Sequence, residues 1–190
     1  SGDVMITPLE QPYDYLTVDD IMEFTNIWNA SKKKLILVGV NESDTIDEAI
    51  SDLLAKDNSV VVMTEATSNL HHPSFLSNID TIITPFSNED FEDFKPDILI
   101  TFGGMVVSKR IKAFLRKYKP EHHWHVDSLR AYDTFGCLTK HFDDQPNDFF
   151  NHFLPFTNAI ESDYHSKFQK IRDIRKKKHL EYLATVPFSD

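Results

Sequence analysis

The stretch PDILITFGGMVVSKRIKAFLRKY, residues 96–118, reads as a strand, a tight turn and a helix. DILITFG (97–103) is apolar at nearly every position, as in a strand covered on both faces. Gly103-Gly104 makes the turn and Ser108 is placed to cap a helix. Ile111, Phe114, Leu115 and Tyr118 then recur at i, i+3, i+4, i+7, the stripe by which a helix packs on a sheet. A doubly covered strand feeding a helix is the repeating unit of a parallel α/β fold.

The same alternation extends in both directions. LILVGV (35–40), VVVMTE (60–65), IDTIIT (79–84), HHWHVD (122–127) and CLTKHF (137–142) read as further strands. Thr17 caps a helix carrying Ile21, Phe24 and Trp28, and residues from about 44 to 56 form another with Ile46, Ala49, Ile50, Leu53 and Leu54 on one stripe. A short acidic helix lies near Asp90, PNDFFNHF (146–153) is a helix begun by proline, and a long helical pattern runs from Asp163 to Leu183. The expected fold class is α/β, an open and mostly parallel sheet with helices on both faces, Rossmann-like in outline, over residues 17–160.

Residues 1–16 contain two prolines and no helical period, so they read as an extended linker. The apolar stripe fades partway along the last helix, so residues 161–190 read as a linker helix leaving the domain toward TVPFSD. The chain opens on Ser1-Gly2 rather than Met, and the expectation is a segment of a longer protein.

With 190 residues, 41% of them hydrophobic, the chain can bury one sizeable core. A formal charge of -10 argues against general nucleic-acid or membrane-surface binding. The single Cys137 has no internal disulfide partner, and no apolar run is long enough to span a membrane. These features point to the cytoplasm.

The turn after the first strand, GVNESDT, holds Gly39 alone, and no G-x-G-x-x-G or G-x-x-x-x-G-K-[ST] occurs. A dinucleotide fingerprint is therefore missing from a fold that often carries one. His123, His125 and Asp127 alternate onto one face of their strand and could hold a metal. No distant Cys or His spacing completes such a site, so they read as polar residues of an edge or strand end, and His71 and His72 as loop residues. The run Arg172, Arg175, Lys176, Lys177 and Lys178 has no aromatic platform beside it and reads as a solvated helix. No Ser-His-Asp or Cys-His arrangement for nucleophilic catalysis can be argued.

Lys109 and Arg110 break a rule, since cations in the first turn of a helix face the positive end of its dipole and cost a few tenths to about 1 kcal/mol each. A bound anion would reverse that sign. The turn also lies at the carboxyl end of a strand, where open α/β sheets place their ligands. The competing reading is that both side chains splay into water.

KPDILITFGGMVVSKRIKAFLRKYKPEHHWHVD resembles the central domain of the 2-succinyl-5-enolpyruvyl-6-hydroxy-3-cyclohexene-1-carboxylate synthase family, thiamine diphosphate enzymes of menaquinone biosynthesis. There a similar PD-(apolar)-FG segment runs into a serine- or glycine-lysine pair, a helix and a strand ending in aspartate. PLEQPYDYL looks like the exit from the family's first domain and TVPFSD like the entrance to its third. The resemblance implies an intact transferase that decarboxylates 2-oxoglutarate and adds the succinyl carbanion equivalent to isochorismate. It implies thiamine diphosphate and Mg²⁺ in the intact enzyme, held by a pyrimidine-binding and a diphosphate-binding domain, with no cofactor, metal or catalytic residue in this segment, which alone would be inert. Lys109 and Arg110 match the basic pair that the central domain lends to isochorismate, with Ser108 and Gly104 as secondary candidates for cap and close approach. A homo-oligomer is implied for the intact enzyme. Some relatives bind a downstream product in a basic pocket of this domain, for which Arg116, Arg130 and Lys140 would be the residues here. Two alternatives stand beside this reading: the central domain of an acetolactate synthase-like enzyme or 2-oxo acid decarboxylase, and a free-standing module that binds a small anion or nucleotide.

Overall fold

Strands rich in Val, Ile and Leu can lose both faces to solvent only if helices cover both sides, and this chain supplies them. The structure, a computed structural model, describes residues 16–187. Its strands are β1 (Lys34–Val38), β2 (Val60–Met63), β3 (Ile98–Phe102), β4 (His122–Val126) and β5 (Lys140–Phe142). They form one sheet in the order β2-β1-β3-β4-β5, every neighbouring pair parallel. The helices are α1 (Val18–Ala30), α2 (Glu48–Lys56), α3 (Ile79–Ile83), α4 (Asn88–Phe94), α5 (Lys109–Lys117), α6 (Pro146–Phe153) and α7 (Tyr164–Thr185).

Alternate residues of each strand divide between two cores. Ile36, Val38, Ile98, Ile100, Trp124 and Val126 pack with Phe24 and Trp28 of α1, Ile50 and Leu54 of α2, and Phe149, Phe150 and Phe153 of α6. Leu35, Leu37, Val61, Met63 and Leu99 pack on the other face with α3, with Phe94 of α4, with Ile111, Phe114 and Leu115 of α5, and with Tyr164 and Phe168 of α7. The α/β class expected from the sequence is the one observed. Only the start of α7 is buried, while Ile174, Leu180, Tyr182 and Leu183 are exposed. Residues 1–15 of the extended segment expected over 1–16, and residues 188–190 at the end of TVPFSD, lie outside the described residues, while Leu16 packs against the core.

Two expectations are corrected. IDTIIT is helix α3 rather than a strand. Ile79, Ile82 and Ile83 are buried at i, i+3, i+4, and Asp80 sits in the first turn, a helical spacing hard to tell from a strand in so short a stretch. β4 is also not an edge strand, because β5 covers it.

At the amino ends of the strands Lys34 is fully buried at 0% exposure. Its Nζ donates to the Ser31 carbonyl and to Ser59 Oγ, both at 2.8 Å, and lies 4.8 Å from the Trp28 ring centroid. Burial pushes its pKa down to about 8, against the opposing pull of Asp57 and Asp97. The folded value lies below that of the unfolded chain, so between the two the unfolded state binds the extra proton and stability rises with pH. We expect a gain of about 2 kcal/mol between pH 8 and pH 10, absent in Lys34→Met. The buried Tyr164 hydroxyl, whose pKa is raised by burial, acts in the opposite sense above pH 10. Comparison with Lys34→Met by urea unfolding removes that contribution, and equal slopes for the two proteins would refute the assignment.

Candidate functional site

The carboxyl ends of β1 and β3 lie at the point where the strand order reverses, the usual ligand crevice of an open α/β sheet. Here backbone fills it. Gly39 N–H donates to the Phe102 carbonyl at 2.9 Å, Val40 N–H to the Met105 carbonyl at 3.1 Å and Gly104 N–H to the Val40 carbonyl at 2.6 Å. A Cβ on Gly39 would stand 2.1 Å from the Gly104 oxygen, so the approach is possible only for glycine. Gly103 takes φ +82, which only glycine adopts at little cost, whereas a Cβ on Gly104 would meet nothing closer than 3.4 Å. The glycines thus bring two loops together, leaving no phosphate cradle between them.

The next feature is the start of α5. Ser108 is its N-cap, and Ser108 Oγ accepts from Ile111 N–H at 3.2 Å, as the sequence predicts. Two carboxylates that the sequence reading did not single out also converge there. Glu65, just past β2, accepts Val107 N–H on one oxygen at 2.8 Å and Ser108 N–H on the other at 2.7 Å. Asp80, in the first turn of α3, accepts the Ser108 hydroxyl. These contacts span 42, 43 and 28 residues of sequence, so no local pattern could reveal them. Glu65, Asp80, Ser108, Lys109 and Arg110 line an open groove of about 700 Å³. Lys109 and Arg110 are exposed, and among the described residues neither forms an ion pair. The positive end of the α5 dipole is therefore met from within by Glu65, and the two side-chain charges remain available to a solute. Gly104 lies apart from this group, in the wall of a neighbouring cavity.

That cavity, about 540 Å³, opens over the ends of β3 and β4. Thr101 Oγ1 lies 2.8 Å from His123 Nε2 and 2.7 Å from His125 Nδ1. A hydroxyl has one proton and two lone pairs, so it donates to at most one of the two imidazoles and accepts from the rest. Burial holds His123 down at about pKa 4, reinforced by nearby His125, and burial also lowers His125, so both rings are neutral at pH 7. Of the residues expected at an edge or strand end, His123 is buried inside a covered strand, while His125, partly exposed, and Asp127 do lie at the carboxyl end of β4. Asp127 also lines the cavity, with one oxygen accepting Leu129 and Arg130 N–H. Arg116 and Arg130 line it too, while Lys140 lies on the opposite face with its Nζ 5.6 Å from the Phe24 and Phe142 ring centroids.

Among the described residues no group of three or more His, Cys, Asp or Glu side chains is arranged to hold a metal ion. Among the described residues, the reversal point closed by backbone does not fit a diphosphate and its metal. No helix of the described residues is long and apolar enough to cross a membrane.

Comparison with known proteins agrees with this architecture. The family model described as "Middle domain of thiamine pyrophosphate" matches residues 10–151. A 2-succinyl-5-enolpyruvyl-6-hydroxy-3-cyclohexene-1-carboxylate synthase of Flavobacterium johnsoniae is 57% identical over 186 residues, covering 97% of this chain and 34% of that protein. Proteins of the same name from Flavobacterium psychrophilum and Christiangramia forsetii are 58% and 46% identical, over 91% and 90% of this chain and 32% and 30% of theirs. The chain spans about a third of the length of the curated relatives it matches. A parallel sheet covered on both faces, a reversal point sealed by glycine backbone and a family match over most of the domain lead to one assignment: the chain belongs to the thiamine pyrophosphate middle-domain family, in the group typified by the 2-succinyl-5-enolpyruvyl-6-hydroxy-3-cyclohexene-1-carboxylate synthases.

Proposed function

We propose that the chain works as the middle domain of a thiamine diphosphate-dependent transferase, the synthase named for its relatives, in the cytoplasm and as part of a homo-oligomer. The observation that carries this reading is similarity along 97% of the chain to a synthase about three times its length. In the intact protein, thiamine diphosphate with Mg²⁺ supplies the electron sink for decarboxylating 2-oxoglutarate and transferring its succinyl unit to isochorismate. Flanking domains of the same protein, one before and one after residues 17–160, hold that cofactor. The segment alone is inactive.

Within this reading Lys109 and Arg110 meet the carboxylates of isochorismate. Arginine offers a planar fork of donors and lysine a compact point charge, a combination suited to a polyanionic substrate. Ser108 fixes the first turn that presents them, and Gly104 keeps the adjoining loop close to Val40. Exposure of both cations at the carboxyl end of the sheet supports the assignment. Assaying the full-length protein with thiamine diphosphate and Mg²⁺ tests it. Isochorismate-dependent turnover of 2-oxoglutarate is the expected result; turnover of pyruvate in its place would favour the acetolactate synthase-like or decarboxylase reading.

A further inference from the structure

The carboxylate of Glu65 is committed to backbone rather than to the cations beside it. One oxygen holds Val107 N–H and the other Ser108 N–H, at 2.8 and 2.7 Å. Glu65 is itself anchored: its N–H donates to Ser68 Oγ at 2.8 Å, and the Ser68 hydroxyl donates to the Val38 carbonyl at 2.8 Å. An unbroken path of hydrogen bonds therefore runs from the end of β1, through Ser68 and Glu65, into the two peptides that precede Lys109. Asp80 holds the Ser108 side chain from the other side of the groove.

A free acidic side chain beside two cations would be expected to pair with them and lower their affinity for a substrate anion. Here both oxygens of Glu65 are occupied by amides made electropositive by the helix that follows, an arrangement stronger than a neutral hydrogen bond. The turn is thereby fixed while Lys109 and Arg110 stay out of any ion pair among the described residues. Binding groups held in one geometry lose less freedom when the ligand arrives.

We infer that Glu65 is a positioning residue for the anion-binding pair: by clasping the Val107 and Ser108 amides it sets the direction in which Lys109 and Arg110 leave α5, and so the affinity for the substrate they meet. The inference rests on the function proposed above. It assigns no contact between Glu65 and substrate.

The test uses the full-length protein and measures kcat and KM separately for isochorismate and 2-oxoglutarate in Glu65→Ala, Glu65→Gln and Lys109→Ala, with hydrogen exchange followed at residues 105–112. For Glu65→Ala we expect KM for isochorismate to rise roughly 10-fold, with kcat and KM for 2-oxoglutarate within about 3-fold of the parent. The Val107 and Ser108 amides should exchange faster. Glu65→Gln keeps the shape and one acceptor oxygen, so it should fall between the two, and it carries the test if the alanine variant does not fold. Unchanged KM for isochorismate in both Glu65 variants, with Lys109→Ala impaired, overturns the inference alone and leaves Glu65 a structural residue. Tighter isochorismate binding in Glu65→Ala also overturns it, since Glu65 would then be a placeholder competing for the substrate's position. If Lys109→Ala and Arg110→Ala both leave isochorismate use unchanged, the assignment of the basic pair falls and the inference falls with it, while the turnover assay still decides the function reading.

Discussion

Lys109→Ala and Arg110→Ala, each introduced into the full-length protein, are expected to lower kcat/KM for isochorismate by about 1–3 kcal/mol, or roughly 5- to 150-fold. The double variant should lose at least as much as the worse single one, with a deviation from additivity if both cations meet one carboxylate. Stability should move the other way. Both side chains are exposed, and α5 is held to the sheet by the buried Ile111, Phe114 and Leu115 rather than by its first turn. Removing a cation from the positive end of the helix dipole should leave Tm unchanged or raise stability by a few tenths of a kcal/mol. Impaired use of isochorismate in a protein that is no less stable separates a substrate role from a folding role. Unchanged kcat/KM would end the assignment of the pair.

Gly39→Ala is expected to destabilise the chain by about 2–4 kcal/mol. The new Cβ would stand 2.1 Å from the Gly104 oxygen and 2.9 Å from its carbonyl carbon, and both are backbone atoms that cannot rotate away. Relief requires the two loops to part, which strains the bonds from Gly39 to Phe102, Val40 to Met105 and Gly104 to Val40. Gly104→Ala is the control. Its Cβ would make only ordinary contacts at 3.4 Å or more, so the cost should stay under about 1 kcal/mol. Equal losses in the two variants by urea unfolding would show that the loops yield more easily than this packing implies.

Much of this architecture is legible in the residues. Apart from Lys34 and Thr101, KLILV, VVVM and ILITF are apolar, and every position is buried, as a sheet covered on both faces requires. Thr17 and Ser87 each announce a helix through a capping box, with Asp20 and Asp90 three residues on. IDTIIT is misleading because so short a stretch, apolar at Ile79, Ile82 and Ile83, fits either period, and the structure puts those three positions on the buried face of α3. The site divides in the same way. Ser108, Lys109 and Arg110 are adjacent in sequence, so the cap and the misplaced charges can be read directly. Glu65 and Asp80 reach that turn only once β2 and α3 are placed against α5, and no spacing rule connects residues so far apart. The isolation of Gly39 likewise shows in the sequence as a missing dinucleotide fingerprint, yet its close approach to Gly104 is a fact of tertiary structure alone.

The central claim, that the start of α5 presents its cations to the substrate, is tested most directly by reductive methylation of lysines in the full-length protein with and without isochorismate. Lys109 should be modified roughly 10-fold more slowly when isochorismate is at about ten times its dissociation constant, with exposed Lys56 at the end of α2 unaffected. Equal modification of Lys109 with and without saturating isochorismate would contradict the account.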